Sequence, residues 1–429
     1  MRLAEMGLCF QGHKQELQRH FTKLSLVGLA STTTISWTGL GLGLTTEIAA
    51  GGPGAVIYGF ILVFILQCFL VALYHPGMTI QTWQTFVAYE GLNMITALVV
   101  LYGNKLIPSL NRFSLFYLQI GYFTVMVTVA ACAPKHQSSE FVFRTWINTT
   151  GWENQVICFI TGLVNPLYSL GGLDGVSHIT EEMPNPSKNA PLAIAITLSI
   201  AFVTGITYLI TLMFSVQDWT ALSNSNTQLP LAELFRQATS NAGGAFALTF
   251  LIFIALGPCV VGSQLSTGRM FWAFSRDGAL PFSEFWSKIH PSKRIPFNAQ
   301  LAVYGIVGAL GCLYLGSSTA FNSLMGTAVT VNNSAYMVPI LTNLLTGRRN
   351  MHEGSFFMSG WKGFAVNTIA VCWLSFAIVF FSFPYYKPVT AQNINYTCVV
   401  VGGLALLQLG WWFCVGKGYS LRMLKAKET

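Results

Sequence analysis

An all-α protein that crosses a membrane about eleven times is the fold class this sequence predicts, and three observations predict it. Hydrophobic residues make up 53% of the 429 and charged ones only 9%, where a soluble domain carries roughly a quarter charged. The apolar residues come in blocks of about twenty, each long enough as helix to cross a hydrocarbon core of ~30 Å. The Lys and Arg behind the net charge of +8 are spread over short loops and tails. That is the positive-inside pattern of a membrane protein, not a phosphate-binding face. The composition therefore implies a lipid bilayer as partner and no nucleic acid. An open sheet could not satisfy its backbone in lipid, so the blocks read as helices.

The polar, basic stretch 1–23, with "GHKQELQRHFTK", reads as a cytoplasmic tail. It has no short apolar core or cleavage site ahead of it, so the first span is expected to act as the insertion signal. Hydropathy places spans near 24–48, 55–73, 86–103, 113–133, 156–177, 190–214, 245–275, 298–315, 320–345, 363–384 and 394–415. These make a membrane domain over 24–415, followed by a cytoplasmic tail at 416–429. The longest polar segments are 134–155 and 215–243. Nine cysteines show no CxxC or Cys/His spacing, and most lie in apolar runs where Cys acts as a small hydrophobe. No metal or cofactor is expected.

Charge sets the orientation. Lys417, Arg422, Lys425 and Lys427 put the C-terminal tail inside, with Arg348, Arg349 and the loop 276–297. Counting backwards then puts 178–189 inside and 134–155 outside. The sequons at Asn148 and Asn395 fall outside, as glycosylation candidates. The same count puts the N-terminus outside, against Lys14, Arg19 and Lys23. Either the N-terminus breaks the charge rule, or a span is missing between about Leu73 and Trp83.

Two spans are interrupted. In "NPLYSLGGLDGVSHITEE", Pro166 removes a backbone donor, Gly171 and Gly172 weaken the helix, and Asp174 places a carboxylate where lipid would penalise it. The combination predicts a helix that unwinds at mid-membrane, tolerated where it lines a solvated site. Close packing of small residues is the alternative for the glycines alone. The first span offers a counterpart in "ASTTTISWTGLGLGL", whose hydroxyls can also bond back to their own helix. Two Gly-interrupted spans heading corresponding halves of a chain point to inverted repeats around a midplane site.

"LDGVSHITEEMPNPSKNAP" resembles the sixth-span signature of the amino acid–polyamine–organocation (APC) superfamily of permeases, in the fungal amino acid/choline branch. "SWTGLGLGL", "GGPGAVIYGFIL" and "SRDGALPFS" resemble the same branch, over about Gly12 to Gly416. The loops are most similar to those of choline and γ-aminobutyrate permeases. The resemblance implies a LeuT-like five-plus-five inverted repeat with two extra C-terminal helices. It implies secondary transport of an amino acid or a related amine by alternating access, often with a coupling proton. Substrate would sit between the unwound parts of the first and sixth family helices, here Ser36, Trp37, Thr38 and Gly39 with Tyr168, Ser169, Gly171, Gly172 and Asp174. The rings of Trp37 and Tyr168 could face a quaternary ammonium. His178, Glu181 and Glu182 would lie at the cytoplasmic mouth as gate or loop-anchoring groups. A plasma-membrane location is expected, with vacuolar or endoplasmic reticulum membranes as alternatives.

One departure from the pattern coincides with the parity failure. After "FILQCFLVAL" the family continues into a third helix, whereas here "YHPGMTIQTWQTF" follows, similar to the approach to the fourth. About eleven spans are thus expected in place of twelve. The rival to a working permease is a non-transporting form lacking one span. A channel is disfavoured, since no filter or charged ring is visible. An enzyme is disfavoured because Asp174 is the only aspartate within a span. Arg269 is expected to snorkel to the cytoplasmic face rather than to serve the pathway, and Glu90, the other embedded acid, to be either functional or simply wet near a helix start.

Overall fold

The computed structural model describes residues 22–34, 82–223, 230–349, 355–391 and 394–428. Their regular elements are helices: α1 (Lys23–Thr34), α2 (Thr82–Tyr102), α3 (Ile107–Cys132), α4 (Gln155–Gly162), α5 (Val164–Ser169), a 3-10 segment (Leu173–Glu182), α6 (Pro186–Ser215), α7 (Pro230–Thr239), α8 (Ala242–Arg276), α9 (Phe297–Gly316), α10 (Ser318–Leu345), α11 (Gly360–Phe380) and α12 (Thr397–Glu428), with short helical turns between some of them. Among the described residues, eight stretches are long and apolar enough to cross a membrane. The expected span 55–73, most of 24–48 and the junction near Leu73 lie outside the described residues.

Side-chain placement along α3 shows how these helices meet lipid. Phe113, Phe116, Ile120, Phe123 and Val127 recur every three or four residues and are exposed, while Asn111, Ser114, Leu118, Tyr122, Val125 and Val129 are buried on the other side. Lipid provides no hydrophobic drive between helices, so the apolar stripe faces out and polar or small groups turn inward. Gly28 of α1 lies directly on the Asn111 backbone of α3, where any side chain would collide with the carbonyl.

Two cores hold the bundle. Leu118, Tyr122 and Val125 of α3 pack with Tyr208 and Leu212 of α6, Phe235 of α7 and Leu248 and Ile252 of α8. The polar stretch 215–243 thereby acquires structure, because α7 is amphipathic and buries Leu231, Leu234, Phe235 and Ala238. Leu26 and Leu29 of α1 pack with Val176 and Ile179 of the 3-10 segment, Ala190 and Ala193 of α6, and Val261 and Leu265 of α8. This second core brackets the interrupted helix. α10 is the departure among the long helices: it has 28 residues but carries Thr327, Thr330, Asn332 and Asn333 midway and falls outside the eight most apolar stretches. The tail expected at 416–429 continues α12 as helix to Glu428.

Candidate functional site

The chain breaks where Pro166 and the glycine pair predict it. α4 starts on Asn154, whose side chain accepts from the Val156 N–H. It gives way at Leu163 to α5, a helix of six residues containing Pro166. After Leu170 the chain turns at Gly172, which has φ +75°, a left-handed conformation that glycine adopts without a steric penalty. The backbone then resumes as a ten-residue 3-10 segment, itself bent at Ile179. The opened backbone is supported from α8, where the Ser266 hydroxyl donates to the Gly175 carbonyl at 3.3 Å.

Asp174 stands just beyond the turn and is partly buried. Its Oδ2 lies 3.2 Å from His178 Nε2, one turn later, and Tyr336 of α10 is close enough to interact with its carboxylate. The Tyr336 oxygen in turn accepts from Asn332 Nδ2 at 3.2 Å. Tyr168 and Ser169 are on the α5 side of the turn. The Ser169 Oγ and Tyr168 hydroxyl are buried and without partners, as are Asn165 Nδ2 of α5 and the Thr330 Oγ1 and Asn333 Nδ2 of α10. The structure thus brings Asp174 and His178 together, and sets Asp174 near Tyr336 of a helix on which the sequence had marked nothing. Ser36, Trp37, Thr38 and Gly39 lie outside the described residues.

At the end of the 3-10 segment the acids are paired. Glu181 accepts from Arg276 Nη1 at 2.8 Å, and Arg276 also lies 4.6 Å over the Trp272 ring. Glu182 is bound by Arg269 Nε, with the two side chains 2% and 3% exposed, and Arg269 also reaches Asn104 between α2 and α3 at 3.4 Å. The expectation that Arg269 snorkels is therefore corrected. Its partner is 87 residues away in sequence, so the nearby Arg276-Asp277 pair was a misleading guide. Both ion pairs join the end of the interrupted helix to α8.

Glu90 is not simply wet near a helix start. It lies two turns inside α2, and its Oε1 is buried without a partner. A side chain at Gly308 of α9 would sit 3.1 Å from Glu90 Oε2, so that glycine makes room for the carboxylate. Asn93 approaches the same oxygen at 3.5 Å and is held by Gln264 of α8 at 2.7 Å.

The sequon asparagines are engaged in the fold. Asn148 Nδ2 donates to the Trp152 carbonyl at 2.6 Å, while its Oδ1 accepts from Thr150. Asn395 Nδ2 donates to the carbonyls of Phe381 and Phe383 at 2.9 and 3.2 Å.

A family model described as amino acid permease matches residues 53–404. The choline transporter of Saccharomyces cerevisiae is 32% identical, over 94% of this chain and 82% of that protein. That alignment runs over 465 positions, more than the 429 residues of this chain, so the yeast protein carries residues with no counterpart here. A swainsonine transporter of Arthroderma benhamiae is 27% identical over 94% of this chain and 76% of its own length, in an alignment of 411 positions. A manganese transporter of Eremococcus coleocola superposes with a TM-score of 0.46 at 15% identity, over 99% of this chain and 87% of that one.

Proposed function

This chain belongs to the amino acid permease family and is a multi-pass secondary transporter, and from that premise we propose that its cargo is a small solute bearing an ammonium group, choline-like or an amino acid. The observation that carries the reading is Asp174 at the broken helix, held by His178 and facing Tyr336 of α10. A cation entering a site screened from water gains from a carboxylate fixed beside it. The Tyr168 ring next to the turn adds a surface suited to an alkylated ammonium, worth ~0.5–2 kcal/mol. Ser36, Trp37, Thr38 and Gly39 complete the site from the first span, and a proton couples uptake. His178, Glu181 and Glu182 line the cytoplasmic mouth, and the plasma membrane is the place of action. Asp174→Asn should reduce initial uptake of radiolabelled choline or amino acid at least tenfold at unchanged surface abundance. Wild-type rates in that variant would remove Asp174 from the site.

A second reading keeps the fold and gives up the activity: a form that lacks the third family helix and does not transport. It rests on the charge parity around Leu73 and on a choline-transporter alignment longer than the chain. The swainsonine-transporter alignment, shorter than the chain, does not favour it.

A further inference from the structure

On α10, Ser323, Thr327, Thr330 and Asn333 are buried at 8%, 3%, 2% and 4% exposure and share one face at spacings of four, three and three. A helix between lipid and protein turns polar groups inward only where something there can bond them. Thr327 satisfies its hydroxyl on the Ser323 carbonyl one turn back, at 2.7 Å. Thr330 does not: its Oγ1 is buried and without a partner, as is Asn333 Nδ2. One turn further on, Tyr336 interacts with Asp174, so this face approaches the anionic group of the site. Val164 of α5 and Val329 share a packed cluster with Ala377 of α11 and Phe381, and α5 carries buried, unpartnered polar atoms of its own, Asn165 Nδ2 and Ser169 Oγ.

A buried donor without a partner is destabilising, and two of them one turn apart on the same helix face mark a position where a ligand completes them. All of these groups are neutral. The nearest arginines along the segment, Arg269 and Arg276, are bound to Glu182 and Glu181. A carboxylate among neutral donors would lack a counter-charge, whereas a hydroxyl, which donates and accepts, matches an amide N–H₂ and a threonine hydroxyl. We propose that Thr330 and Asn333 of α10 form a subsite for the hydroxyl of an amino-alcohol whose ammonium end is held by Asp174. This inference rests on the proposed transport reading and adds to it which helix reads the substrate's neutral end.

The test compares choline with ethyltrimethylammonium, its analogue without the hydroxyl, as ligands of the purified full-length protein. Binding is measured by thermal shift titration of each compound, so that no uptake is required. The wild-type chain should bind choline about tenfold tighter or more. In Thr330→Val, and separately in Asn333→Leu, the preference should shrink to about threefold or less, with ethyltrimethylammonium binding as it does to wild type. Two single variants guard against one that fails to fold. Equal affinities in the wild type, an intact preference in a folded variant, or no binding of either ammonium each overturn the proposal. Uptake of an amino acid with no ammonium bound would overturn this subsite and leave the transport reading standing. Hydroxyl-dependent binding without uptake of any solute would do the reverse.

Discussion

Arg269 and Glu182 show what a single pair of residues does in this bundle. Both are almost wholly buried and bound to each other. Removing one partner of a buried pair leaves a charge uncompensated, at a cost of about 3–5 kcal/mol, whereas replacing both with apolar groups of similar size is often neutral. Arg269→Met alone should therefore lower the melting temperature and membrane abundance sharply, and adding Glu182→Met should restore most of both. Fluorescence-detected size-exclusion after heating measures this, and a double variant no better than the single would show that the pair is not the cause. The sequence did reveal that Glu182 sits at an end of the broken helix. It did not reveal the bond, because hydropathy and spacing report neighbours within a turn or two, and this partner is 87 residues away.

At the level of the element, the interrupted helix was readable. A proline, two glycines and an aspartate inside an apolar run have no place in a smooth span, and the turn falls at Gly172. An alanine there must adopt φ +75°, costing roughly 1–2 kcal/mol for an L-residue. Gly172→Ala should therefore reduce uptake several-fold more than Gly171→Ala, whose φ is not left-handed and whose Cβ would meet the Tyr168 oxygen at 3.1 Å and the Leu167 oxygen at 3.6 Å. Initial rates normalised to surface protein compare the two, and an equal loss would count against the turn. The 3-10 form of the continuation was not legible, nor was the polar face of α10. Serines and threonines in a membrane helix commonly bond to their own carbonyls, so their spacing alone does not tell a satisfied hydroxyl from one turned toward a ligand. α7 was hidden differently, since its ten residues are too few and too amphipathic for a hydropathy window to register.

For the whole molecule, the fold class and nearly every span from residue 86 onward followed from composition and block length. The arrangement before α2 depends on a junction that charge parity finds inconsistent. Inserting an apolar span of about 20 residues between Leu73 and Tyr74 should raise surface expression and uptake together. Robust saturable uptake by the unaltered chain, with both tails accessible only from the cytoplasm, would show that no span is wanting. The Glu182–Arg269 bond also bears on how such a chain is made. Synthesis runs from the N-terminus, so Glu182 has left the ribosome before Arg269 is translated. Arg269 stands two turns from the end of α8, and an arginine that enters lipid without its partner is costly. The segment ending at Glu182 must therefore be kept beside the insertion channel until α8 arrives, and the order of translation becomes part of what lets this bundle close.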